Sequence, residues 1–100
     1  MLVLSRARGE SILLGSARLV VQRVNPHIQL DYLSSGSLRQ FYFERKQVAS
    51  LPVLSLDDEV EVSLMRLSPD DKLVFGINAP RHIRIMRGEL SAEETKKYIH

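Results

Sequence analysis

The N-terminal stretch MLVLSRARGES carries two arginines, Arg6 and Arg8, directly behind a run of apolar residues. Side chains on an extended chain alternate between two faces, so both arginines continue the face of Leu2 and Leu4. A strand face that begins apolar and ends cationic suits a strand whose end meets a negatively charged partner. Arginine is adapted to nucleic acid, because its planar fork can pair with guanine or phosphate and can stack on a base.

A second arginine-ended strand is predicted near the other end of the chain, where HIRIMR (82–87) alternates and finishes at Arg87. Single-stranded RNA loops are read by hydrogen bonds to base edges, by stacking and by charge. We expect residues 1–6 to pair with residues 82–87, which would bring Arg6 and Arg87 into one patch. The alternative roles are structural: Arg6 can blunt a sheet edge, and Arg87 can pair with Glu89.

Other residue types that carry catalysis or bind metals do not form a recognisable set. The chain has no cysteine, which excludes disulfides, thiol nucleophiles and Cys-based zinc sites. The histidines are scattered, and the adjacent aspartates at 57–58 and 70–71 would point to opposite faces of a strand. There is no glycine-rich phosphate loop. We therefore expect no enzyme activity, no catalytic residue, no metal site and no cofactor.

Length and composition indicate one ordinary globular domain. Of the 100 residues, 44% are hydrophobic and 26% are charged, and the formal net charge is only +2, so clustering of charge matters more than the total. No apolar run approaches the roughly 18 residues that span a membrane, and no signal peptide is recognisable. A cytoplasmic protein without a membrane partner is the expectation.

A period of two dominates the sequence and predicts short strands. Gly and Pro turn signals separate them. The candidate strands are residues 1–6, 10–15, 17–24, 27–33, 38–46, 58–67, 72–77 and 82–87. Ser91 followed by Glu94 forms a capping box, which predicts a short C-terminal helix over 91–98. The fold class expected is mainly β: a small intertwined antiparallel sheet or barrel-like fold with one terminal helix.

The two halves of the chain align with each other. ARLVVQRVNP matches EVEVSLMRLSP, and QFYFERKQV matches HIRIMRGEL, which sets Arg45 against Arg87. This predicts a single domain over 1–100, built as a pseudo-dimer of a first unit (1–50) and a second unit (51–100). The second unit lacks a basic first strand. The alternative is that any two three-stranded meanders would align to this degree.

MLVLSRARGESILLG at the start and DDEVEVSLMRLSPDDKLVFGINAPRHIRIMRGEL (57–90) near the end resemble the carbon storage regulator (Csr/Rsm) family of bacterial post-transcriptional regulators. The two matching segments cover about half of the chain. The resemblance implies an intertwined fold in which each RNA site combines the first strand of one unit with the last strand of the other. It also implies binding to GGA-containing hairpin loops in mRNA leaders and repression of translation.

The resemblance also implies which positions contact RNA. They are Leu4, Ser5 and Arg6 on the first strand, Ala79 and Pro80 in the loop, and Ile85, Met86 and Arg87 on the last strand. Arg8 stands apart from Arg6 where the family has adjacent arginines, so it belongs to a second tier of RNA candidates. Arg45 and Arg84 complete that tier, and we expect a second site around Arg45 to be weak or lost.

The expected partners are an mRNA or a small regulatory RNA with GGA loops, and a protein antagonist. Two oligomeric states stay open, a monomeric pseudo-dimer and a domain-swapped homodimer. A function of a different class also stays open: a degenerate regulator that acts as a protein-interaction module, pairing with a family member or with a protein antagonist.

Overall fold

The computed structural model describes residues 1–88, and within them the chain forms nine strands and two 3-10 helices. The strands are β1 (Leu2–Arg6), β2 (Ser11–Leu14), β3 (Ala17–Arg23), β4 (Ile28–Ser34), β5 (Ser37–Phe43), β6 (Leu54–Ser55), β7 (Glu61–Leu67), β8 (Leu73–Asn78) and β9 (Ile85–Arg87). The 3-10 helices are Arg45–Ser50 and Asp57–Glu59. The mainly β prediction is confirmed. Neither helix is long and apolar enough to cross a membrane.

The strands form two antiparallel sheets. One has the order β1-β8-β7-β6 and the other has the order β5-β4-β3-β2-β9. The sheets do not close on each other, so the barrel-like form of the prediction is wrong. The C-terminal helix predicted over 91–98 lies outside the described residues.

One hydrophobic core lies between the sheets, as the period-two pattern predicts. Inward residues of both sheets are fully buried, among them Ile12 and Leu30 from the larger sheet and Phe75 from the smaller. Removing each such side chain from water contributes about 1.5–3 kcal/mol. This shared burial holds the two sheets together.

Each sheet is a meander, of four strands (β2–β5) in the larger sheet and three (β6–β8) in the smaller, plus a strand from the distant end of the chain. Strand β1 pairs with β8, where Leu4 lies opposite Phe75, and β9 pairs with β2, where Ile85 lies opposite Leu14. The predicted pairing of residues 1–6 with residues 82–87 is therefore wrong. Both terminal strands instead extend the apolar face of the other half's meander, which buries Leu4 and Ile85 in part.

Loop length decides which strands cross between the halves. Only Ser35 and Gly36 join β4 to β5, and both have positive φ (51° and 77°), as in a type I′ hairpin turn. This turn holds β5 beside β4. The longer connection 79–84 lets β9 reach the other sheet. The smaller sheet has no described fifth strand beyond β6; the 3-10 helix Arg45–Ser50 packs on β7 and buries Val48.

Three predicted strands are shorter than expected, and the one predicted over 82–87 begins only at Ile85. The strand predicted over 38–46 ends at Phe43, because Glu44 and Gln47 form a capping box that starts the first 3-10 helix. The strand predicted over 58–67 begins at Glu61, after a 3-10 turn whose last residue, Glu59, has a φ of 61°. Arg45 therefore lies on a helix and not at a strand end.

Alanine substitutions at Gly36 and at Gly76 together test the conformation of the β4–β5 turn. No atom lies within 4 Å of a Cβ added to Gly36, so Gly36→Ala should cost about 1–2 kcal/mol purely through its positive φ. A Cβ on Gly76 would meet the sulfur atoms of Met1 and Met65 at 2.7 and 3.1 Å, and both side chains are exposed and can move. Urea unfolding should show a smaller loss for Gly76→Ala; an equal loss would contradict this account of the turn.

Candidate nucleic-acid interface

Strand β1 presents its first two predicted RNA contacts at an open sheet edge. Leu4 and Ser5 are both partly buried, and Leu4 packs against the core. Among the described strands, β1 has a neighbour only on its β8 side, so its other backbone edge is free of ladder partners. Such an edge can offer N–H and C=O groups to a ligand.

Arg6 is buried and is not displayed on the surface as a direct RNA contact would be. It is only 6% exposed. Its Nε donates to the Ser5 carbonyl at 2.8 Å, and its Nη2 lies 3.8 Å from Glu10 Oε1. The same Glu10 oxygen accepts a hydrogen bond from the Ala7 N–H at 2.6 Å. Glu10 folds back over the β1–β2 turn, and sequence reasoning gave it no role.

Arg8 lies in that turn and is exposed. It lines a cavity of about 310 Å³ together with Asp70 and Asp71 from the β7–β8 turn. Two carboxylates at this position disfavour a phosphate. The structure therefore places Arg8 among the acidic residues of the β7–β8 turn.

The loop before β9 is tied to the end of the β2–β3 hairpin. The Ile83 N–H donates to the Pro80 carbonyl at 3.0 Å, and the Gly15 N–H donates to the Arg84 carbonyl at 2.8 Å. Ala79 and Pro80 are half-buried, whereas the side chain of Arg84 is exposed. The loop is thus fixed through its backbone while Arg84 stays available to a ligand.

Strand β9 carries the clearest cationic candidate. Arg87 is exposed and lies opposite Ile12 near the start of β2, while Ile85 and Met86 are half-buried. Only four residues, 7–10, separate the end of β1 at Arg6 from the start of β2. The end of β9 therefore lies beside the start of β2, at the corner of the larger sheet to which the turn from β1 leads, although β1 and β9 pair in different sheets.

The structure adds Arg18 to this corner. In the ladder, Leu13 lies between Met86 on β9 and Arg18 on β3. The exposed Arg18 donates from Nη1 to Ser11 Oγ at 2.8 Å. Arg18 is in phase with Met86, whereas Arg87 is in phase with Ile12, so these two arginines leave opposite faces of the sheet beside β9. The tight Gly15–Ser16 turn was the sequence signal that could have set Arg18 opposite Leu13.

Arg45, the centre of the predicted second site, is engaged in the fold. Its Nη1 donates to the Val24 carbonyl at 2.7 Å, and its Nη2 donates to Asp71 Oδ1 at 2.8 Å. The other Asp71 oxygen accepts from Asn25 Nδ2 at 2.9 Å. These bonds join the first 3-10 helix to the β3–β4 and β7–β8 turns.

The same bonds set the charge state of the carboxylates. The hydrogen bonds from Arg45 and then Asn25 hold the pKa of Asp71 below its ordinary value of 3.8. A hydrogen bond from Ser68 lowers the pKa of Asp70. Within residues 1–88, no group of three or more His, Cys, Asp or Glu side chains is arranged to hold a metal ion.

Comparison of the chain with protein-family models, curated proteins and solved structures finds no match. Fold and function therefore rest on the chain's own residues.

The Arg45–Asp71 ion pair makes the stability of the fold depend on pH in the acidic range. Because the folded-state pKa of Asp71 is lowered, its stabilising contribution is present above about pH 4 and is lost as the pH falls through the folded-state value. Asp71→Asn suits the positive φ of this position but carries no charge. Melting temperatures between pH 6 and about 2.5 should fall less steeply for Asp71→Asn and Arg45→Ala than for the unchanged chain. Parallel curves would contradict this role.

Gly88, directly after β9, packs closely on Ser11 and Arg18. A Cβ at Gly88 would collide with Ser11 Oγ and would lie 3.2 Å from Arg18 Nη1. Gly88→Ala should therefore destabilise the chain, and Ser11→Ala should recover part of the loss by removing the hydroxyl. A double-mutant cycle of unfolding free energies measures the coupling. Additive effects would show that Gly88 does not pack on Ser11.

Proposed function

We propose that this chain is an RNA-binding post-transcriptional regulator that reads GGA-containing hairpin loops in mRNA leaders or small regulatory RNAs and represses translation. The observation that supports this most is the exchange of terminal strands. The first strand extends the second meander and the last strand extends the first, so that a four-residue turn leads from the end of β1 to the strand that pairs with β9. The resemblance to the Csr/Rsm family implies an RNA site of this kind.

The chemistry of the corner suits a single-stranded loop. Strand β9 has one described neighbour, so its second backbone edge can bond base edges. The exposed Arg87 can pair with guanine or phosphate, and Arg18 and Arg84 add positive charge around the same strand. Ala79 and Pro80 are partly accessible and can approach the bases through their backbone.

Arg6 takes a different part from the one that the resemblance implies. Its guanidinium holds the Ser5 carbonyl and lies beside Glu10, so it shapes the end of β1 rather than reaching out from it. We assign it as a positioning residue. Arg6→Lys retains the charge but not the fork geometry. It should raise the Kd for RNA while the melting temperature changes little.

One RNA per chain is the stoichiometry that this proposal requires. The second meander's own first strand is missing, and β5 occupies the corresponding edge beside β4. No described strand extends β6, and Arg45 is bound to Asp71. The proposed second site would therefore lack a basic first strand, a last strand and an available arginine.

Alanine substitution of Arg87 tests the site. Arg87→Ala should raise the Kd for a GGA hairpin about tenfold to a hundredfold, the usual worth of a bidentate arginine pair. If Arg87 bonds phosphate instead, the slope of log K against log salt should fall by about 0.7. Titrations by fluorescence anisotropy at several salt concentrations measure both quantities.

Two matched variants control this experiment. Arg66→Ala removes an exposed arginine from β7, and Arg45→Ala removes one that is held in the fold. Neither should change the Kd while the protein is folded. Equal losses in all three variants would indicate unspecific charge attraction and would overturn the proposed site.

The burial of Arg6 favours a second candidate function, the protein-interaction module. A regulator in which one of the RNA-contacting arginines is buried can still bind a family member or a protein antagonist. The two functions separate at low salt, where phosphate contacts are strongest. Failure to bind any GGA hairpin there would overturn RNA binding and leave the interaction module.

A further inference from the structure

Strand β5 is a long open sheet edge outside the candidate interface. Within residues 1–88, four strands end the sheets: β1, β5, β6 and β9. Strands β1 and β9 belong to the interface, and β6 has only two residues. Strand β5 has seven residues, contains no proline or lysine, and pairs with β4 without a bulge. Proteins commonly blunt such edges, because unpaired backbone groups invite another strand.

The hairpin turn determines which backbone groups of β5 are left open. The two residues that flank a type I′ turn bond each other, and bonded and non-bonded pairs alternate from there along the ladder. Ser34 and Ser37 are the flanking pair. It follows that Ser37, Arg39, Phe41 and Phe43 direct their N–H and C=O groups towards β4. Leu38, Gln40 and Tyr42 direct theirs towards the free edge.

We propose that β5 is a self-association surface on which a second copy of this chain pairs antiparallel, with the two-fold axis at Gln40. In this register Gln40 faces Gln40 of the partner subunit, and Leu38 faces Tyr42 of the partner subunit. All three residues with open backbone groups then bond one another. A register shifted by one pair sets either Tyr42 opposite Gly36 in the turn or Leu38 opposite Glu44 beyond the strand, so the centred register satisfies the most groups.

Side chains match in the same register. Leu38 and Tyr42 are 52% and 58% exposed and lie on the outer face of the sheet, so each would gain an apolar cross-strand neighbour. Arg39 would lie opposite Phe41 of the partner subunit. Its guanidinium already lies 5.2 Å from the ring centre of its own Phe41, so this contact repeats a geometry that the chain uses. No like charges face each other across the axis.

The size of the surface sets the strength of the association. A seven-residue strand is about 24 Å long, which gives an interface at the small end of the known range. The dimer should therefore form reversibly with concentration and should not be obligate. Its continuous ten-stranded sheet would hold the two β9 strands at opposite ends, about 43 Å apart. The surface is independent of RNA binding, because β9 lies at the far edge of the sheet from β5.

Sedimentation equilibrium from micromolar to millimolar concentration tests the association. The unchanged chain should shift from monomer to dimer. Gln40→Pro removes an N–H that faces the free edge and not β4, so it should abolish the dimer while circular dichroism still shows a folded β protein. A chain that stays monomeric throughout, or a dimer that persists in folded Gln40→Pro, would overturn the proposal.

Disulfide trapping tests the register, because the chain has no cysteine of its own. Directly opposed bonded residues have Cα atoms about 5.5 Å apart, which a disulfide spans. Gln40→Cys should therefore form a covalent dimer under mild oxidation. Leu33→Cys is the matched control, since Leu33 is 43% exposed on the neighbouring inner strand β4. Equal cross-linking of the two variants would show random collision and would overturn the β5 register.

Discussion

Two strand pairings between the ends of the chain hold this fold together: β1 with β8, and β9 with β2. Each meander alone exposes an apolar face and an open edge. The exchanged strands cover those edges from the opposite half, and the shared core forms between the resulting sheets. The two halves therefore stabilise each other, and neither completes its sheet without the other's terminal strand.

This exchange also explains why the two halves differ. The connection 79–84 is long enough for β9 to cross, whereas two residues between β4 and β5 allow only a hairpin. As a result β5 fills an edge within its own sheet, and a 3-10 helix with Val48 packs on the smaller sheet. An asymmetric molecule results, with one cationic corner near β9 and one open strand edge at β5.

The arginines show how far residue type predicts a role. Arg6, Arg45 and Arg87 are alike in the sequence, each at or near the end of a predicted strand. In the fold, Arg6 is buried beside Glu10, Arg45 is bonded to Asp71, and Arg87 is exposed. Carboxylates from neighbouring turns engage Arg6 and Arg45, and their positions depend on how the turns fold. Charge and spacing along the chain carry no information about these partners.

The sequence by itself determined the strand periodicity, the turns and the mainly β class, because alternating burial and turn chemistry are local properties. It also marked β1 and β9 as strands that end in arginine. Only the tertiary structure decided which strands pair, that Arg18 on β3 lies across β2 from β9, and that Arg6 and Arg45 are bonded within the fold. Pairing depends on loop reach and on the match of apolar faces between distant segments, and these become definite only when both sheets pack on one core.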